Sequence, residues 1–273
     1  MEIFINLTIL FYTVSATGYV SYLFFQKKSF HKSGYYLLVA GFVCHFAALG
    51  YGFIESGHLP VRDLRETLML TAWAVAGVFL AFQYKFKLRI LGIFAAPLTV
   101  LIMVVASQLP NDPLQAESLF NSLWLIFHVL SVLIGDAAFA LACGVGILYL
   151  VQEHSIKTKN RGFFFKRLPS LELLDSTGYT CIIVGFTLLT MGLIGGIVFA
   201  KSIWGRFWNW DPKEVWTGIT WLVYAVLIQQ RLTMGWRGRK AAILSIIGFA
   251  ILLFTFFGVN FLLQGHHGEF TKF

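Results

Sequence analysis

Eight runs of apolar residues, each long enough to cross a lipid bilayer, fill most of this 273-residue chain. They lie at about 4–26, 35–54, 67–84, 90–107, 123–150, 177–200, 216–234 and 241–263, against the roughly 20 residues a helix needs to cross about 30 Å of hydrocarbon. A segment in hydrocarbon has no water to satisfy its backbone, so each run must bond its own N–H and C=O groups internally, as a helix does. Charged residues make up 12% of the chain, about half the share of a soluble domain. The expected fold is an all-α polytopic membrane protein of about eight transmembrane helices.

The net charge of +8 invites comparison with nucleic-acid binders, but the distribution of the charge speaks against one. Lys27, Lys28, Lys32, Lys85, Lys87, Arg89, Lys157, Lys159, Arg161, Lys166, Arg167, Arg231, Arg237, Arg239 and Lys240 fall in alternate loops. Only Arg62, Arg65, Lys201, Arg206, Lys213 and Lys272 fall in the others. That bias is the topological signature of a membrane protein, and it places both termini on the outer (periplasmic or luminal) side. Cys44, Cys143 and Cys181 all sit within apolar runs, and no CxxC or CxxCH occurs, so the chain has neither a redox pair nor a covalent haem of its own. The first run lacks a basic leader and reads as a retained span.

One outer loop differs from ordinary connections. Trp204-Gly-Arg-Phe-Trp-Asn-Trp-Asp-Pro-Lys-Glu-Val-Trp216 packs four tryptophans and a phenylalanine among Arg206, Asp211, Lys213 and Glu214. Tryptophan favours the membrane interface, where its ring is in hydrocarbon and its N–H is wet. An interfacial belt alone does not call for four indoles in one connection. A large, flat, amphipathic ligand does: rings would face its plane and cations its acidic groups.

This stretch resembles the tryptophan-rich "WWD" signature of membrane haem-handling proteins of cytochrome c maturation. The form WGxxWxWDPKExW, followed by Trp221-Leu-Val-Tyr224 and by Arg231-Leu-Thr-Met-Gly-Trp-Arg-Gly-Arg239, is similar to the CcsA/ResC branch and less so to CcmC and CcmF. The block Gly185-Phe-Thr-Leu-Leu-Thr-Met-Gly192 resembles that branch's sixth span, and its glycines, with Gly195 and Gly196, allow close helix approach. The resemblance implies one haem-handling domain over 1–273, with its tryptophan-rich outer loop at 201–216. Haem b would be held at the outer face as substrate, with Trp204, Arg206, Trp208, Trp210, Asp211 and Trp216 binding it and Arg206, Lys213 or Arg62 pairing with its propionates. The haem would then be presented to the CxxCH motif of an apocytochrome c, where two thioether bonds form, so the chain would be one component of a holocytochrome c synthase. The partners implied are a CcsB/ResB-type membrane protein, apocytochrome c and membrane lipid. The location implied is the bacterial cytoplasmic membrane, or the thylakoid membrane of a plastid.

Haem iron needs axial ligands, and neutral imidazole is a common one. His128 lies a few residues inside the outer end of the fifth run, and His266 and His267 follow the last run on the same side. The resemblance implies that His128 and His267 ligate the iron, although spacing alone leaves His266 open. At the inner end of the seventh run the family has a further histidine, and here that position holds Gln229. Glutamine is a poor iron ligand, so an inner haem site is not expected to rest on it. His31 or His154 could take its place, His58 sits in an outer loop, and His45, in mid-span, reads as structural.

Other features remain open at this level. Asp136 lies about two turns inward from His128 on the same run, as an acid behind the ligand, a proton route or a helix-packing hydrogen bond. Glu66 resembles the acidic residue of a short family block and also fits a helix N-terminus, where the macrodipole favours an acid. Phe163-Phe-Phe-Lys-Arg167 suggests a segment lying on the anionic inner leaflet. Two other functions compete with synthesis: haem export, and a HemX-like assembly or regulatory role.

Overall fold

Each apolar run is helical over the residues that the computed structural model describes, which are 2–57, 60–110, 122–159 and 162–259. The order is α1 (Glu2–Phe25), α2 (Lys28–Ser56), α3 (Leu64–Phe86), a 3-10 turn (Arg89–Leu91) leading into α4 (Gly92–Gln108), α5 (Leu123–Lys157), α6 (Leu171–Trp204), α7 (Pro212–Met234) and α8 (Arg239–Leu253). A π-helical turn, Phe254–Gly258, extends α8. Among the described residues there are eight α-helices and no strand.

Seven of these helices are long and apolar enough to cross a membrane. The exception is α7, which is long enough at 23 residues but carries Lys213, Glu214, Thr217, Thr220, Gln229, Gln230 and Arg231. Several helices outrun their apolar runs. The first turns of α6, Leu171-Glu-Leu-Leu-Asp-Ser-Thr177, are too polar for hydrocarbon yet continue the helix, because interfacial water tolerates polar side chains on a helical backbone.

The chain forms two compact units. The first comprises 1–113 with 151–170 and the second 114–150 with 171–273. In the first, Tyr12, Tyr19, Leu38, Phe79 and Leu91 are almost completely buried. Several buried polar groups there pair with one another, as burial in an apolar interior favours. Tyr12 Oη lies 3.3 Å from His45 Nδ1. Tyr19 Oη donates to Gln83 Oε1 at 2.9 Å, and Gln83 Nε2 lies 3.2 Å from His31 Nε2. His45 is therefore a structural core residue, and His31 belongs to a hydrogen-bonded chain. Phe163-Phe-Phe-Lys-Arg167 docks on the end of α1: Phe163 packs against Phe24, and the Arg167 guanidinium covers the Phe163 ring and donates to Phe24 O. A cation at a helix C-terminus is favourably placed against the dipole, while Phe164 and Lys166 of the same segment stay exposed.

In the second unit, α5 and α6 run antiparallel in close contact. Gly135 meets Gly185 and Leu189, and, moving toward the N-terminus of α5, Val132 meets Gly192 and Phe127 meets Gly195. Phe139 of α5 stacks on Tyr224 of α7 with ring centroids 3.6 Å apart. Arg231, near the end of α7, forms a bidentate pair with Asp175 of α6 at 2.7 and 3.0 Å, and Asp175 also accepts the Gly238 N–H that opens α8. Thr220 of α7 meets Thr255 at the far end of α8, so α8 returns the chain to the end of the unit where α7 begins.

Candidate functional site

The N-terminus of α5, the C-terminus of α6, the start of α7 and the end of α8 lie at one end of the second unit. His128 sits one turn into α5. Its Nδ1 is 2.7 Å from the Gly192 carbonyl, and a neutral imidazole at that distance donates Nδ1–H to the oxygen. The lone pair then resides on Nε2, the atom with which histidine ligates iron when its other nitrogen is held. The ring fits because α6 has no side chain beside it: a Cβ at Gly196 would lie 2.7 Å from Nδ1. Sequence reasoning took Gly192 and Gly196 for helix-packing positions, and both do lie close against α5; they also seat and orient an imidazole. Two turns of α6 beyond Gly196, Trp204 ends the helix; the Trp204 side chain lies outside the described residues.

The tryptophan loop opens with Gly205 at φ +71 and closes on Asp211, the N-cap of α7. Asp211 is buried, and its Oδ1 accepts the Lys213 N–H at 2.9 Å. Pro212 supplies the first helical residue, where its missing N–H costs nothing, and Glu214 completes a capping box. Asp211, expected at the ligand, thus has a defined task inside the loop's own fold. Lys213 is half-buried, and its charge interacts with the carboxylates of Asp211 and Asp136. Arg206 is exposed. Arg62, in the other unit, pairs with Glu66 at 3.1 Å.

The aromatic residues divide into anchors and exposed rings. Trp216 packs edge-on against Phe254, with centroids 4.6 Å apart. Trp221 donates its indole N–H to Thr190 of α6 at 2.9 Å. Phe207 and Trp210 are exposed, Trp210 at 77%. Trp208 stands edge-on to Trp210 at 6.0 Å, and its indole N–H is buried with no partner among the described residues. An unpartnered buried donor is costly, so a ligand that accepts from it would recover that cost. A surface of aromatic faces, an orphan N–H, an exposed guanidinium and an imidazole with an oriented Nε2 suits a flat metallated macrocycle with acidic side groups.

Trp210 also has a backbone φ of +59. For a non-glycine residue this left-handed conformation costs about 1–3 kcal/mol. Gln26, Lys87 and Lys159 share it, but each follows the end of a helix, where it is common. Trp210 stands in front of a helix instead.

The remaining histidines differ in location. His58, His266 and His267 lie outside the described residues, and His154 is exposed on α5. Gln229 is exposed on α7. Asp136 is half-buried, next to Gly135 at the contact of α5 with α6. Glu66, in the first unit, is buried at the start of α3, where Asp63 accepts its N–H.

Residues 61–267 match the family described as cytochrome C assembly protein. The chain is 34% identical to the cytochrome c biogenesis protein CcsA of Guillardia theta, over 96% of this chain and 94% of that protein. To the CcsA of Prochlorococcus marinus it is 33% identical, over 89% of this chain and 86% of the other. To that of Microcystis aeruginosa it is 32% identical, over 82% and 83%. Among solved structures, a cytochrome c heme lyase CcmF has a like fold, with a TM-score of 0.64 at 15% identity. That match covers 98% of this chain and 47% of the solved one, so the chain spans about half its length.

Proposed function

Since this chain belongs to the cytochrome c assembly protein family, we propose that its part in cytochrome c maturation is to hold haem b at the tryptophan-loop end of the second unit and to present it to apocytochrome c. The observation that carries the reading is His128. Its Nδ1 is committed to Gly192 O, so Nε2 is the ligating nitrogen, and the helix that seats it runs directly into the tryptophan loop. Trp208 and Trp210 would face the macrocycle and Arg206 a propionate, while Asp211 and Trp216 shape and anchor the loop. His267 is the second ligand in this reading, and α8 returns the chain to the same end at Val259, a few residues before it.

The chemistry supplied here is positioning. Haem brings the vinyl groups and the apocytochrome the thiols; each S–H adds across a vinyl C=C, so no atom is lost and no leaving group has to be accommodated. The protein's residues hold the macrocycle, neutralise its acids and exclude water. The histidine of the CxxCH motif then takes the place of one protein ligand.

We read all eight helices as spans, with α7 shielded by its neighbours, both termini outside, and 1–273 acting as one haem-handling domain beside a CcsB/ResB-type partner in the bacterial cytoplasmic or thylakoid membrane. The first test is the absorption spectrum of the purified full-length chain loaded with haem b and reduced. A six-coordinate bis-histidine spectrum is expected; a high-spin, five-coordinate spectrum would contradict the ligand pair.

A further inference from the structure

Trp210 is held in its unusual conformation from both sides by one atom. Glu214 Oε2 accepts the N–H of Asn209 at 2.9 Å and the N–H of Asp211 at 3.3 Å. These are the residues flanking Trp210, whose φ is +59 and whose side chain is 77% exposed. Glu214 lies in the first turn of α7, and its partner in the capping box, Asp211, is fixed to the same turn through the Lys213 N–H. The carboxylate therefore gathers the last residues of the loop against a rigid helix. A helix cap needs only the Asp211 N–H; the second bond, to Asn209, has no capping purpose and fixes the loop alone.

The geometry points to Glu214 as a positioning residue for haem retention: it acts through Trp210, by fixing the backbone that presents the indole to the macrocycle. This rests on the reading that the tryptophan loop receives haem. Among the described non-glycine residues with positive φ, helix termination accounts for Gln26, Lys87 and Lys159 but not for Trp210, and such strain persists only where surrounding bonds impose it.

The test is a titration of the purified full-length chain with ferrous haem b, read by absorption, for Trp210→Ala, Glu214→Ala and the double variant, with protein level and helical content measured alongside. Trp210→Ala and Glu214→Ala are each expected to weaken binding about tenfold, the worth of one aromatic contact that both variants forfeit, and the double variant no further than Trp210→Ala alone. Losses that multiply in the double variant would mean that Glu214 acts independently of Trp210, and would overturn the assignment. So would wild-type affinity in Glu214→Ala. If Trp210→Ala itself binds normally, the loop reading falls and the positioning role falls with it; if only Glu214→Ala binds normally, the loop reading stands and the positioning role fails. Two further variants keep the question decidable should Glu214→Ala not fold. Glu214→Gln keeps the accepting oxygen at full reach and is expected to bind haem nearly normally. Glu214→Asp keeps the charge but falls a methylene short and is expected to match Ala. The reverse order would show that charge, and not reach, is what matters at this position.

Discussion

At the start of α3 the sequence reads Asp63-Leu-Arg-Glu66, and at the start of α7 it reads Asp211-Pro-Lys-Glu214. In both places an aspartate caps the helix, accepting from Glu66 N at 2.7 Å in one and from Lys213 N at 2.9 Å in the other. In both, the glutamate reaches back toward the incoming chain. At α3 it meets Arg62, taking the backbone N–H at 2.9 Å and the guanidinium at 3.1 Å, so the motif closes on itself. At α7 the preceding residue is Trp210. The glutamate has no guanidinium to meet and takes two backbone N–H groups instead, leaving the indole exposed. The same capping device thus ends in a self-satisfied corner in one unit and in a displayed aromatic in the other. What differs is the residue just before the cap.

If that contrast holds, variants on either side of it should fail in different currencies. The largest effect is expected from Trp210→Ala, which should reduce haem retention about tenfold while leaving thermal stability near that of the parent. Its counterpart, Arg62→Ala, should leave haem retention unchanged and lower stability by about 1–3 kcal/mol, since it takes the guanidinium from the buried Glu66 carboxylate while leaving the backbone N–H. Thermal unfolding in detergent and haem absorption, measured on the same samples, would separate the two. Haem loss in Arg62→Ala would erase the distinction.

A smaller, several-fold fall in cytochrome c yield is expected for Gly196→Ala, whose Cβ would meet the His128 ring. Gly205→Ala is its control: nothing lies within 4 Å of a Cβ there, so only the strain of φ +71 is felt, about 1 kcal/mol of stability. An equal loss of yield in both would argue against an oriented imidazole.

Asp63 offers a pH-dependent check on the self-satisfied corner. It lies just outside the membrane-spanning part of α3, and burial raises its carboxyl above the usual 3.8 despite the Glu66 N–H it accepts. A raised value in the folded state means that folding favours the protonated form. The group's stabilising contribution is therefore complete below pH 3.8 and is lost as pH rises through the folded-state value. Asp63→Asn, which keeps the accepting oxygen without the charge, should stabilise by less than about 1 kcal/mol at neutral pH, with the gain vanishing below pH 3.8. A gain that grows on acidification would reverse the sign. The smallest effect is expected at Gln229: exposed and unsuited to iron, it should tolerate alanine with haem content and cytochrome yield unchanged.

The helices were legible because hydrocarbon imposes a length that a run of apolar residues must meet, and α1 to α8 fall where those runs are. Their true ends were less so, since polar turns such as 171–177 continue a helix without any hydropathy signal. The placing of α7 among the spans rested on its Leu-Val-Tyr-Ala-Val-Leu-Ile centre, and its polar flanks keep it below the hydropathy of the other seven. The tryptophan loop stood out from composition alone as a candidate ligand surface. Its conformation was not: a left-handed tryptophan is set by Glu214, five residues beyond Asn209, and no local preference announces it. Nor does sequence tell a glycine that packs helices from one that seats an imidazole, because both read as small residues at helical spacing.

The central claim is that His128 ligates haem iron through Nε2, and the most direct measurement is the reduced absorption spectrum of full-length His128→Ala with and without added imidazole. The expected result is loss of the six-coordinate spectrum in a protein that still accumulates in the membrane, with imidazole restoring it by refilling the open axial position. A His128→Ala protein that keeps the parent spectrum without imidazole would contradict the assignment.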